Sequence, residues 1–165
     1  MKHIVIGIDP DVTQSGIARV DKEQRKAWAT SLPFPLLLDY LKDVKKEASK
    51  EGAHLSVYVE SSHLITHNWH INRFDKSAVV AAKGRSVGAV HQVGKLIIEM
   101  CHHIGIEVHE QLPFKKCWKG IDGKITHEEI THICQWSKKR SNQEVRDAML
   151  IAWTCAGLPL KIKTN

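Results

Sequence analysis

At 165 residues, 42% of them hydrophobic, the chain can bury one sizeable core but not two, so a single domain over 1–165 is expected. Lys and Arg outnumber Asp and Glu by 24 to 18, a balance that favours a polyanionic partner over an acidic protein. No apolar run approaches the roughly 20 residues a bilayer span needs, so no membrane association is expected, and Cys101, Cys117, Cys134 and Cys155 stand far apart with no CxxC pair, as in a reduced, cytoplasmic protein.

His3 to Asp9 reads as a strand in which Val5, Ile6, Gly7 and Ile8 are uninterruptedly apolar, the pattern of burial on both faces. It ends on Asp9, and an ionised Asp in such surroundings normally has a partner. Either Asp9 only starts a turn with Pro10 and Asp11, or it holds something positive. Gly16 to Asp21 and Arg25 to Ser31 follow after turn-length gaps, giving an antiparallel meander that Pro33 and Pro35 stop. Leu37, Leu38, Leu41, Val44 and Ala48 recur at helical spacing and predict a helix over Leu36 to Lys50, with Gly52 to end it. Leu55 to Glu60 is a fourth strand, again closing on a carboxylate.

Ser61 to Phe74 has no clear period and reads as a loop. Asp75 is placed to cap a long helix from Lys76 to about Ile104, with Gly105 just beyond it. Ile106 to Glu110 forms a fifth strand. A Lys/Trp-rich segment, Phe114 to Gly120, precedes a helix that opens with the capping box Thr126-His-Glu-Glu129. The last helix runs from Asn142 to about Ala156 and stops at Gly157.

This order implies a sheet whose first strand pairs antiparallel on one side and accepts parallel neighbours through helical crossovers on the other. Asp9 and Glu60 would then stand at carboxyl ends of neighbouring strands, where open α/β sheets place their ligands. Glu144 and Asp147, spaced i and i+3, flank the last helix's apolar stripe of Val145, Ala148, Met149, Ala152 and Ala156 and can face the strand ends. Four converging carboxylates repel one another unless cations neutralise them. Magnesium takes such oxygen ligands together with phosphate oxygens, and two ions about 4 Å apart can clamp a phosphodiester displacement. Taken singly, Glu60 also reads as a surface charge, and Glu144 as the closing residue of a capping box begun by Ser141.

The stretches GIDPDVTQSGIARV, VYVES, GRSVGAV and EVRDAMLIAW, in that order from about Ile4 to Ala156, resemble the motifs of RuvC-type Holliday-junction resolvases. The resemblance implies an RNase H-like α/β fold, a mixed five-stranded sheet of three antiparallel strands plus two parallel ones, flanked by helices. It implies a metal-dependent endodeoxyribonuclease that resolves branched DNA, four-way junctions above all, by in-line attack of water, leaving 5'-phosphate and 3'-hydroxyl ends. Asp9, Glu60, Glu144 and Asp147 match the family's metal-binding acids, for two Mg2+ ions per site with Mn2+ able to substitute. The family also carries a lysine near the scissile phosphate, a role for which Lys124 or Lys119 fits best, and it works as a homodimer. Asp11 departs from the family's usual Gly after Pro, Glu144 stands where bacterial members usually have Asp, and the loop after Glu60 is longer than usual.

In that loop His63, Trp69, Arg73 and Phe74 interleave rings with cations, which suits unstacked bases and phosphates; a solvated loop is the plainer reading, and a zinc site of His63, His67 and His70 a third. Lys115, Lys116 and Lys119 read either as phosphate contacts or as a solvated face. Gly84 and Gly88 interrupt a good helix and mark either a dimer interface or close approach to the sheet. Three other functions fit parts of the pattern. GIDPDVTQSG also resembles the phosphate loop of sugar kinases and actin-like proteins, which need a second domain; a nuclease of this fold acting on flaps and a non-cleaving branched-DNA binder complete the set.

Overall fold

The structure is a computed structural model that describes residues 2–65 and 74–160. The strands β1 (His3–Asp9), β2 (Ser15–Asp21) and β3 (Lys26–Leu32) form the antiparallel meander, while β4 (His54–Glu60) lies parallel to β1 and β5 (Glu107–Gln111) parallel to β4. The strand order is β3-β2-β1-β4-β5, so β3 and β5 are the edges. This is the RNase H-like mixed sheet.

Alternation along β1 explains its unbroken apolar run. Ile4, Ile6 and Ile8 join one core with residues of α1 (Phe34–Glu51) and α2 (Ser77–His103), among them Leu37, Leu41 and Ile97. Val5 faces the other core, built with Ile130 and Ile133 of α3 (His127–Cys134) and Ala148, Met149 and Ala152 of α4 (Gln143–Cys155). Each fully buried isoleucine contributes about 1.5–3 kcal/mol relative to exposure, so the strand carrying Asp9 is held firmly from both sides.

Two glycines determine how close α4 comes. A Cβ on Gly7 would strike the backbone at Ala148 and Ala152, and one on Gly16 the backbone of Glu144. The helix therefore lies directly on β1 and β2, with no side-chain layer between at these two points.

Helix starts divide into two cases. Thr126 and Glu129 form the expected capping box, Glu129 N–H donating to Thr126 Oγ1 at 3.2 Å and Thr126 N–H to Glu129 Oε2 at 2.9 Å. Asp75, expected as a cap, instead accepts from Lys83 Nζ at 2.7 Å, and the N-cap position of α2 falls on Lys76 without a side-chain bond. The charge pair with a lysine two turns further on outcompetes the cap. None of residues 77–93 is buried, and a Cβ on Gly84 or Gly88 would meet nothing within 4 Å among the described residues. Close approach to the sheet therefore does not explain these glycines. No helix of the described residues is long and apolar enough to cross a membrane.

Candidate functional site

Asp9 ends β1 and Glu60 ends the parallel neighbour β4, one position beyond the Ile8–Val59 pair. Asp9 also pairs with Gly16, against which the backbone of Glu144 rests. The missing side chain at Gly16 thus brings the first turn of α4 onto the end of β1. Burial is the main force lifting the Asp9 carboxyl well above the usual range, and the charges of Glu60, Asp147 and Glu144 add to it against Lys124. Glu60 is pushed up to about 7, again first by burial and next by Asp147, with Lys124 and Lys116 opposing. Asp147 is raised by burial and held back by Gln143, Lys124 and Arg146. The four acids share one electrostatic field.

Side chains that sequence reading passed over support Asp147. Gln143 Nε2 donates to Asp147 Oδ1 at 2.7 Å, and Arg146 donates to Gln143 Oε1 at 2.7 Å, fixing which end of the amide faces the acid. Arg146 is anchored in turn by Ile125 O at 3.0 Å and Ser141 O at 2.6 Å. The available signal was the i, i+4 spacing of Gln143 and Asp147 on one helix face. Lys124 Nζ stands 3.8 Å from the other carboxylate oxygen, Asp147 Oδ2.

The two competing roles for the acids belong to other residues. Asn142, not Ser141, caps α4, its side chain accepting from Val145 N–H at 3.0 Å. Glu144 therefore closes no capping box. Asp11 builds the turn after β1, its Oδ1 accepting from Thr13 N–H at 2.8 Å while its own N–H donates to Ser15 Oγ at 3.1 Å. That local bonding is what an Asp offers in place of the Gly expected there.

The other candidate residues are placed unevenly. Lys115, Lys116 and Lys119 are all exposed; Lys116 acts on Glu60 from the surface, and Lys119 donates through its backbone N–H to Glu129 at 3.1 Å. His63 turns back toward the sheet edge, 3.1 Å from Glu110 and edge-on to His91. Trp69 and Arg73, with His67 and His70, lie outside the described residues.

Among the described residues no group of three or more His, Cys, Asp and Glu side chains stands arranged to hold a metal ion as it is. The donor chemistry nonetheless suits a hard divalent cation: carboxylate oxygens on rigid elements, desolvated and short of positive charge.

No family model and no curated protein matches this sequence. Among solved structures the chain is similar to Thermus thermophilus RuvC in complex with a Holliday junction substrate, at 17% identity and a TM-score of 0.50, over 92% of this chain and 91% of that one. It is also similar to a second structure of Thermus thermophilus RuvC (18% identity, TM-score 0.45, 93% and 96% covered). A third is the Fowlpox virus resolvase with its Holliday junction DNA (9%, 0.45, 93% and 97%). At 17% identity the first likeness shows the fold, which this chain shares along nearly its whole length.

Proposed function

We propose that this chain is a divalent-metal-dependent endonuclease that cuts branched DNA, with four-way junctions as its principal substrate. The observation that carries the reading is the placement of Asp9 and Glu60 at the ends of two parallel strands, beside the helix turn that bears Glu144 and Asp147, where burial raises the Asp9, Glu60 and Asp147 carboxyls. Acids so placed cost stability unless a cation is held there. The shared fold supports the same reading, and the RuvC structure it is shared with contains a Holliday junction.

Asp9, Glu60, Glu144 and Asp147 would hold one or two Mg2+ ions, with Mn2+ a workable substitute. Bound there, such ions supply Lewis-acid polarisation of the phosphodiester and a water nucleophile at neutral pH. Asp9, touched by the fields of the other three acids and Lys124, would be the central residue of the set that holds them. Gln143 orients Asp147 by holding Oδ1. Lys124, beside Oδ2, offsets the negative charge that develops on the phosphoryl oxygens. Lys116 assists near Glu60, while Lys115, Lys119 and the loop bearing His63, Trp69 and Arg73 contact the DNA more remotely. A homodimer would set two such sites against opposite strands.

The test is a gel assay with Mg2+ on a four-way junction, a flap, a linear duplex, a single strand and an RNA/DNA hybrid. Wild type should cut the junction best, and Asp9→Asn should abolish cutting while still binding it, because basic residues supply the affinity. Cleavage of the junction by Asp9→Asn at near wild-type rate removes the site assignment. Preference for the flap moves the substrate to single-nick branches, and junction binding by wild type without any cutting leaves a structural DNA binder.

A further inference from the structure

Along the edge strand β3 runs a line of basic side chains that the acid site does not use. At the end of β3 remote from Asp9, a cavity of about 670 Å³ opens between the β2–β3 turn and the segment following α3, walled by Arg25, Lys26, Trp28, Gln135, Trp136 and Ser137. From there the chain follows the edge. Lys138 Nζ reaches Ala29 O at 3.3 Å and lies 5.6 Å from the centre of the Trp136 ring. Lys139 and Arg140 are exposed, and Asn142 Nδ2 then meets Ser31 Oγ at 3.2 Å. Asn142 caps α4, whose first turn carries Glu144. The line therefore begins at the cavity and ends at the acids.

Charge is unbalanced along it. The nearby acids are engaged: Glu47 by Arg19, Glu51 and Asp21 by Lys2, and Glu23 by the His3 N–H. Arg25, Lys26, Lys138, Lys139 and Arg140 form no ion pair among the described residues. With Lys138 donating to an edge carbonyl, the strand is also blocked to pairing with another strand, which argues against a peptide as the occupant.

We infer that the β3 edge, from Arg25 and Lys26 to Arg140, is a phosphate-binding track for a duplex DNA arm leading away from the acid site. The inference rests on the nuclease reading above and extends it to where an arm of the substrate lies. Seven residues of strand span about 20 Å, which matches roughly six base pairs at 3.4 Å rise per pair. Contacts of this kind position the duplex and carry no sequence information.

The test uses the full chain and junctions with hairpin-closed arms of 5 or 15 base pairs, binding being followed by fluorescence anisotropy in Ca2+ from 50 to 200 mM salt. The variant is Lys26→Gln/Lys139→Gln/Arg140→Gln, all exposed positions outside the acid set. On long arms the slope of log K against log salt should become shallower by about 2–3, near 0.9 for each phosphate that the variant no longer neutralises. On short arms, which end before Lys26 at the cavity, the difference should shrink by about 1, because only Lys139 and Arg140 still face phosphates. The charge-keeping variant Lys26→Arg/Lys139→Arg/Arg140→Lys should restore the long-arm slope, which misfolding would not allow. Equal slopes for wild type and variant on long arms overturn the track while leaving the nuclease reading in place, as does an equal change of slope on both arm lengths. A wild type that binds neither junction overturns both.

Discussion

Asp147 shows how much of the site depends on residues that bear no reactive group. Its Oδ1 is held by Gln143, whose amide is fixed by Arg146, so one carboxylate oxygen is directed and the other left beside Lys124. Partners of metal-binding carboxylates typically account for 10–100-fold in metal affinity or activity. Gln143→Ala should therefore raise the Mg2+ concentration for half-maximal cleavage by about that factor, with junction affinity in Ca2+ unchanged. An unchanged Mg2+ requirement would show the bond to be incidental. The places of the four acids, two at strand ends and two as an i, i+3 pair on one helix, were legible because both follow from periodicity. Gln143 was not, because a glutamine on a half-buried helix face has many innocent uses and only the fold supplies its acceptor. Lys124 was separated from Lys119 only once the chain had folded, for no spacing rule says which exposed lysine bends back toward an acid.

At the scale of elements, the placement of Glu144 and Asp147 depends on α4 lying bare against β1 and β2. Gly7 and Gly16 make that possible, and Gly7→Ala would drive a methyl into the backbone at Ala148 and Ala152. Overpacking of this kind costs about 1–3 kcal/mol, and here the obstacle is backbone, which cannot rotate away. Urea denaturation of Gly7→Ala should show a loss of at least that size, together with a cleavage defect greater than the loss of folded protein explains, since α4 carries two of the acids. A midpoint within experimental error of wild type would mean that α4 can ride outward freely. The strands and most helices were readable in advance because each buries a regular stripe. The start of α2 was readable to within one residue, but its cap was not: the N-cap position falls on Lys76, and Asp75 pairs with Lys83.

For the whole molecule, the acid cluster links stability to pH, and through the proposed cation to metal. Asp9, Glu60 and Asp147 all have carboxyls raised in the folded state, so the native protein binds protons more tightly than the unfolded chain. Their contribution is fully present below the ordinary carboxylate values and is lost as pH rises; for Glu60 the window runs from 4.5 to about 7. Thermal melts in EDTA should fall by several degrees between pH 5.5 and 8, Mg2+ should restore more at pH 8 than at 5.5, and Glu60→Gln should flatten the dependence. A metal-free melting point that rises over this range contradicts the coupling.

Association belongs to this scale too, because the proposed resolution of a four-way junction would take two symmetric cuts and one chain would carry one acid cluster. A two-fold dimer presents the same surface twice and would set the two clusters against opposite strands. The surface at hand is the first half of α2, where residues 77–93 are all unburied, Val79 is 42% exposed, and Gly84 and Gly88 open onto nothing in the described chain. Gly88→Arg separates folding from association, since a Cβ there has nothing within 4 Å among the described residues. Sedimentation should give a dimer for wild type and a monomer for Gly88→Arg, with the melting point of the dilute variant close to that of dilute wild type. On a junction the variant should leave single nicks where wild type makes paired cuts. Mixed dimers of wild type and Asp9→Asn, purified through two tags, should bind the junction normally and nick one strand per encounter. A wild type that sediments as a monomer both alone and on junction DNA would remove paired cutting, and the acid cluster would then serve an enzyme that makes one nick at a branch.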